Sequence, residues 1–106
     1  MNRLNNVDAI NGTSFHGHTI TATVRELCDV LGDPDCDNNH GMDKVNFEWF
    51  LETADGEAIT LYDWKQYRSL GMSEVVAWHI GGHSAEHTES AMNELTYLLN
   101  SQRFQE

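Results

Sequence analysis

Basic residues are scarce in this chain. Six Lys and Arg stand against 17 Asp and Glu in 106 residues, a formal net charge of −11. Attachment to DNA or RNA depends on neutralising phosphates with Lys and Arg, so direct nucleic-acid binding is excluded, as is attraction to an acidic membrane surface. Long apolar runs are also missing, and no segment is expected to span a bilayer. The opening MNRLNNVDAING lacks the apolar core of a signal peptide, so the expected location is the cytoplasm. Cysteine is limited to Cys28 and Cys36, which are read as reduced thiols in that compartment. Asn11-Gly12-Thr13 has the form of a glycosylation sequon, but without secretion it reads as a turn. Proline occurs once, at Pro34. No internal repeat or low-complexity tract is apparent.

What the chain does contain is strand-like alternation, densest between Lys44 and Lys65. Val45, Phe47, Trp49 and Leu51 alternate with Asn46, Glu48, Phe50 and Glu52, the period of a strand with one buried face. Ile59 and Leu61 repeat that spacing on the return. A two-residue loop at Asp55-Gly56 would set Glu52 against Ile59, mixing charge with the apolar face. A three-residue loop, Ala54-Asp55-Gly56 with Gly56 left-handed, sets Leu51 against Ile59 and Trp49 against Leu61. The second register is therefore expected.

Around this hairpin the remaining elements follow. Val7–Ile10 and Thr13–His18, joined at Asn11-Gly12, read as a short first hairpin. Thr23 and Glu26 form a capping box for a helix carrying Val24, Leu27, Cys28 and Leu31 on one stripe; Gly32 ends it and Pro34 prevents its resumption. Cys28 on that stripe reads as a packed core thiol. Gly32 to Asp43 is a polar, turn-rich acidic loop. Glu74–Ile80 alternates as a further strand and Gly81-Gly82 ends it. From Ser84 a second helix places Thr88, Ala91, Met92, Leu95, Leu98 and Leu99 on one face, with Glu86 and Glu89 at its positive end and Arg103 near its negative one. The expectation is a single α+β domain over residues 1–106. It has a mostly antiparallel sheet of about four strands and two helices on one face, with residues 1–12 loosely ordered.

Two patterns resemble metal sites and a third a phosphoester motif, and all three fail. Asp33, Asp35 and Asp37 begin like an oxygen-ligand calcium loop, yet Asn38 stands where Gly is needed and Lys44 where the bidentate Glu belongs. Cys36, His40, His83 and His87 supply four zinc-type ligands without a ligand spacing that joins them. His16-Gly17-His18-Thr19 suggests phosphoester chemistry but has no second copy. No Ser or Cys lies in a nucleophile motif. Accordingly no catalytic residue, metal or cofactor is assigned, and the protein is expected not to be an enzyme; the alternative is a metal-dependent hydrolase using His83 and His87.

The strongest binding signal lies in two stretches. In Trp78-His79-Ile80-Gly81-Gly82-His83-Ser84, two glycines between a strand and a helix allow close backbone approach, and the helix start presents unpaired N–H groups suited to an anion. The alternative is a plain turn into a helix capped by Ser84. Directly after the central hairpin, Tyr62-Asp63-Trp64-Lys65-Gln66-Tyr67-Arg68 gathers two cations among aromatic rings. If these stretches share one end of the sheet, Tyr62, Trp64, Lys65, Arg68, Trp78, Gly81, Gly82, His83 and Ser84 would hold a nucleotide-like phosphate ligand. Neither GxGxxG nor a Gly-Lys-Ser/Thr ending is present.

Between Phe15 and Leu99, the elements Glu48-Trp49, Asp55-Gly56, Tyr62-Asp63-Trp64-Lys65 and Trp78-His79-Ile80-Gly81-Gly82 resemble small accessory proteins of tailed bacteriophages. That group has no established activity, so the resemblance transfers no catalytic residues. It implies a context, the host cytoplasm, and a mode, stoichiometric binding that counters a host system such as antiviral defence. Two partners are then expected: a small anionic ligand that is sequestered, or a basic host protein whose DNA-binding groove the acidic surface occupies. Phe50 on the polar face of the central strand points to a homodimer contact.

Overall fold

The computed structural model describes residues 1–42 and 44–104. The elements are β1 (Asn2–Arg3), a 3-10 turn (Val7–Ile10), β2 (Ser14–Thr23), α1 (Val24–Leu31), β3 (Cys36–Asp37), β4 (Phe47–Glu52), β5 (Ala58–Tyr62), β6 (Val75–Gly82) and α2 (Ala85–Arg103). The architecture is α+β, as expected. The sheet has six strands, with order β1-β4-β5-β6-β2 and β3 also on β4; every pairing is antiparallel. The two strands beyond the expected four are β1 and β3, each two residues long. They lie end to end along the outer edge of β4. Strands that short leave no alternation to read, and β3 falls inside the expected loop, whose last residue, Asp43, lies outside the described residues.

The central hairpin has the expected register, with Leu51 opposite Ile59 and Trp49 opposite Leu61. Thr53 N–H donates to the Glu57 carbonyl at 2.9 Å, which closes a three-residue loop around Gly56 at φ +84. Burial alternates along β4, with Phe47, Trp49 and Leu51 inward. Ile59 and Leu61, Val76, Trp78 and Ile80, and Ile20 and Ala22 continue that face through β5, β6 and β2. They form one core with Val24, Leu27 and Leu31 of α1 and Ala91, Leu95 and Leu99 of α2. Both helices therefore cover one face of the sheet. Trp49 and Trp78 meet edge to face at 5.6 Å, and each indole N–H is satisfied, on the Gly32 and Ala22 carbonyls, at 2.9 Å in both cases. Fully buried rings with their polar atoms paired anchor a core of this size.

The first hairpin does not form. Val7–Ile10 is a 3-10 turn started by the Asn6 side chain, which accepts from Asp8 N–H, and it packs against β5. The sheet offers β2 a longer partner in β6, from Ser14↔Gly82 to Thr23↔Val75, and that pairing overrides the local turn signal. Residues 1–12, expected to be loosely ordered, contain β1, whose Arg3 donates to the Leu31 carbonyl at 2.8 Å and pairs with Asp35 at 2.9 Å. The capping box at Thr23 and Glu26 is present in both directions.

Candidate functional site

With the helices on one side, β3 to β6 and β2 turn a second set of side chains to the other. The registers Cys36↔Glu48, Glu48↔Tyr62, Tyr62↔His79 and His79↔Thr19 run straight across β3, β4, β5, β6 and β2. All five residues alternate with core positions, so they form one row on the face away from the helices. Trp64 extends the Tyr62 end of this row beyond β5, and Phe15 joins it from β2.

His79 is the hub. Its ring stacks on Phe15, with centroids 4.1 Å apart at 22°. Tyr62 lies 5.7 Å away, tilted, and Trp64 6.3 Å away at 30°, while Tyr62 and Trp64 meet edge to face at 6.0 Å. Phe15 reaches the cluster because β2 carries extra residues there. Phe15 pairs with Gly81 and Thr19 with His79, so four steps on β2 face two on β6 and both residues keep the same face. Two rings of this cluster remain open to ligands, Phe15 at 42% and Trp64 at 38% exposure.

Two cations border the exposed ring. Lys65 Nζ lies 5.5 Å and Lys44 Nζ 5.9 Å from the Trp64 centroid, within cation–π range. Arg3, Arg68 and Arg103 each pair with a carboxylate, whereas no salt bridge to Lys44 or Lys65 occurs among the described residues. The backbone around Lys65 is held in an unusual form: Lys65 and Tyr67 have φ of 53 and 51. For L-residues this costs roughly 1–2 kcal/mol each, and surrounding bonds maintain it. Lys65 N–H donates to the Lys44 carbonyl at 2.7 Å. The Asn46 side chain donates to the Arg68 carbonyl at 3.0 Å. Asn39 pairs with Leu70 in both directions, at 2.9 and 2.7 Å.

The base of this loop is a buried polar knot. Asp63 Oδ1 accepts from the backbone N–H of Asn46 at 2.8 Å and of Phe47 at 2.9 Å, and Oδ2 accepts from the Asn46 side chain at 3.0 Å. Asp63 and Asn46 are both buried. The segment expected to be a solvated acidic loop thus acts partly as a brace. Besides Asn39, Asp35 contributes, accepting from Phe50 N–H at 2.7 Å.

Ionisable groups of the row are shifted toward their uncharged forms. Burial raises Glu48, helped by Asp35 and Asp63; burial raises Tyr62, helped by Glu48; burial raises Cys36, helped by Glu48 and Asp35. Burial alone lowers His79, which keeps its imidazole neutral and free to stack at neutral pH.

Of the nine residues expected to form a single cavity, Tyr62, Trp64 and Lys65 come together on this platform and the others do not join them. Trp78 is 0% exposed and belongs to the core on the opposite face. Arg68 is ion-paired to Glu74 just before β6, whereas Gly82 ends that strand. Gly81 and Gly82 serve packing. A Cβ at Gly81 would stand 2.5 Å from Thr60 Oγ1 and 3.4 Å from the Tyr62 ring, and one at Gly82 would stand 2.8 Å from Thr88 Cγ2. Both spaces are filled by the protein's own side chains, and at Gly82 this lets α2 sit close to β6. Ser84 caps α2 by accepting from His87 N–H at 3.2 Å, and His83 bonds the Ala9 carbonyl at 2.8 Å. His87 pairs with Glu57 at 3.1 Å. Among the described residues no three His, Cys, Asp or Glu side chains gather as metal ligands.

Phe15, Lys44, Glu48 and His79 are the members that sequence reasoning missed. Glu48 was within reach of it, because the expected hairpin register already sets Glu48 against Tyr62. Two shallow cavities of about 420 and 450 Å³ lie elsewhere, beside α2, the first lined by Thr19, Thr21, Met92 and Arg103 among others and the second by Met1, Tyr97 and Leu98. The platform is an open surface, and Thr19 at the β2 end of its row also lines the first of these cavities. Fold and site define an α+β protein with helices on one face of a six-stranded sheet and an aromatic, lysine-bordered platform on the other. No family model, curated protein or solved structure matches the chain.

Proposed function

We propose that the protein is a non-enzymatic binding protein that sequesters a small phosphate-bearing ligand with aromatic rings, such as a nucleotide signal, on the face built by Phe15, Tyr62, Trp64 and His79. One observation carries this reading: an exposed Trp64 ring stacked toward a neutral imidazole and flanked by two lysines without salt-bridge partners among the described residues. The rings take up the ligand's bases and the lysines its phosphates. The context, a phage accessory protein acting in the host cytoplasm against a defence system, rests on the resemblance given above and is part of the proposal.

Magnitudes narrow the ligand. Stacking one base on an aromatic ring contributes about 1–3 kcal/mol, and an exposed charge pair up to about 1 kcal/mol. One base and one phosphate therefore hold at Kd values of about a millimolar at the tightest, too weak to sequester a signal. A ligand with two bases joined by phosphate engages both open ends of the cluster, Phe15 and Trp64, and fits the role. Longer polyanions are repelled by a chain of net charge −11.

Thermal unfolding in the presence of the phosphorylated dinucleotide pGpA tests the proposal. At ten times Kd the stabilisation is about 1.4 kcal/mol, a rise in midpoint of roughly 5–10 °C. Trp64→Ala removes most of that rise, Lys65→Ala roughly halves it and Arg68→Ala keeps it. No rise in the native protein contradicts the reading. In that outcome, partner binding lost on neutralising surface carboxylates would favour the acidic inhibitor of a basic host protein, and a stable dimer masking Trp64 would favour self-association through the Phe50 face.

A further inference from the structure

Glu48 is the one carboxylate in the cross-sheet row. Its neighbours on either side are Cys36 and Tyr62, and the charged groups facing it, Asp35 and Asp63, share its sign. It is half-buried, and no hydrogen bond or salt bridge to its carboxylate occurs among the described residues, although its backbone carbonyl is used by Asp35 N–H. A half-buried carboxylate without a donor and beside like charge is an unfavourable arrangement. Other carboxylates near the platform are provided for: Asp63 accepts three N–H groups, and Asp35 has Arg3 and the Phe50 N–H. Adjacent strands are about 4.8 Å apart, so Glu48 stands one strand from Tyr62 and two from His79, close to one base-length from the ring cluster.

Resting on the nucleotide reading above, we infer that Glu48 is the specificity-determining group of the platform, selecting a guanine-type base by accepting its ring N–H and its exocyclic amino N–H together. The two carboxylate oxygens match that pair of adjacent donors. Adenine offers an acceptor where guanine has its ring N–H, and uracil has no amino group. Cytosine presents only the amino donor. A base stacked on the exposed Trp64 ring, which meets Tyr62 edge to face at 6.0 Å, can turn its hydrogen-bonding edge past Tyr62 toward β4, while Lys44 and Lys65 flank its sugar-phosphate side. Raised affinity for protons at Glu48 has the same physical origin, a site that lacks positive partners and gains one when N–H donors arrive.

The test is a titration of the full chain with GMP, IMP, AMP, CMP and UMP, followed by the Trp64 indole N–H signal in two-dimensional NMR. Trp49 and Trp78, buried and bonded to carbonyls, serve as internal references. GMP is expected to bind roughly tenfold or more tightly than AMP, with IMP in between because it lacks the amino group. Glu48→Gln retains the shape but not the double acceptor, and is expected to weaken GMP roughly tenfold and to tighten AMP, because its amide pairs one acceptor and one donor with the amino N–H and ring nitrogen of adenine. Equal binding of all five nucleotides overturns the assignment of Glu48 and leaves the platform reading standing. A guanine preference that survives Glu48→Gln, with an unaltered melting midpoint, overturns it as well. A Trp64 signal that moves with none of them overturns both. The ranking in the native protein needs no variant, so misfolding of Glu48→Gln cannot obscure the result.

Discussion

Phe15 and His79 stack at 4.1 Å although they are not register partners; Phe15 pairs with Gly81 and leans across β6 to reach the imidazole. The contact depends on the extra residues of β2, and the Tyr62 ring beside it depends on Gly81, where a Cβ would stand 3.4 Å from that ring. A β-bulge and a glycine, each a local irregularity, thus shape the aromatic surface together.

Gly81→Ala tests that dependence. Its Cβ would collide with Thr60 and press on Tyr62, and Thr60 is itself buried. Overpacking of this kind costs typically 1–3 kcal/mol. We expect urea denaturation to show a loss in that range, with ligand binding weakened because the Tyr62 ring moves. A variant as stable as the native protein, with unchanged binding, would contradict the packing role.

Asp63 separates support from contact. Asp63→Ala leaves three N–H donors without their acceptor, each costing about 1–3 kcal/mol when buried. Asp63→Asn retains one acceptor oxygen and should lose less. Both variants should loosen the loop that carries Trp64 and Lys65, weakening pGpA binding without removing a contacting group. The ordering of the two midpoints in urea is the check.

Glu26 makes acid stability a prediction with a defined sign. The hydrogen bonds from Arg103, at 2.6 and 3.2 Å, hold its carboxyl down at about 2 from an ordinary 4.5. Because the folded value is the lower one, this contribution is fully present above about pH 4.5 and is lost as pH falls toward 2. Glu26 is partly exposed, so about 1 kcal/mol is expected after screening. Glu26→Gln keeps the capping box, since Gln serves at that position. Its melting midpoint should fall several degrees below the native one at pH 7 and coincide with it near pH 2.

How much of this was legible follows from which forces are local. The β4–β5 register was readable because a one-residue slip would turn Trp49 and Leu51 out of the core. Both helices were readable from a capping box at Thr23, a cap at Ser84 and their apolar stripes. The platform was not, because it depends on how β5 meets β6 and β6 meets β2, and those pairings join residues more than 15 positions apart. Alternation along β6 divides Trp78 from His79 without saying which of them faces the helices, and Trp78, expected to help hold the ligand, proved to be the core residue. Gly81-Gly82 looked like a ligand approach because a glycine admits any close neighbour. Here the neighbours are Thr60, Tyr62 and Thr88.

The most direct test of the platform is a map of backbone and indole amide shifts on adding pGpA. Changes centred on Phe15, Tyr62, Trp64, Lys65 and His79, with Trp49 and Trp78 indoles still, are the predicted result. Changes centred on Gly82 to Thr88 at the start of α2, or none at all, would contradict it.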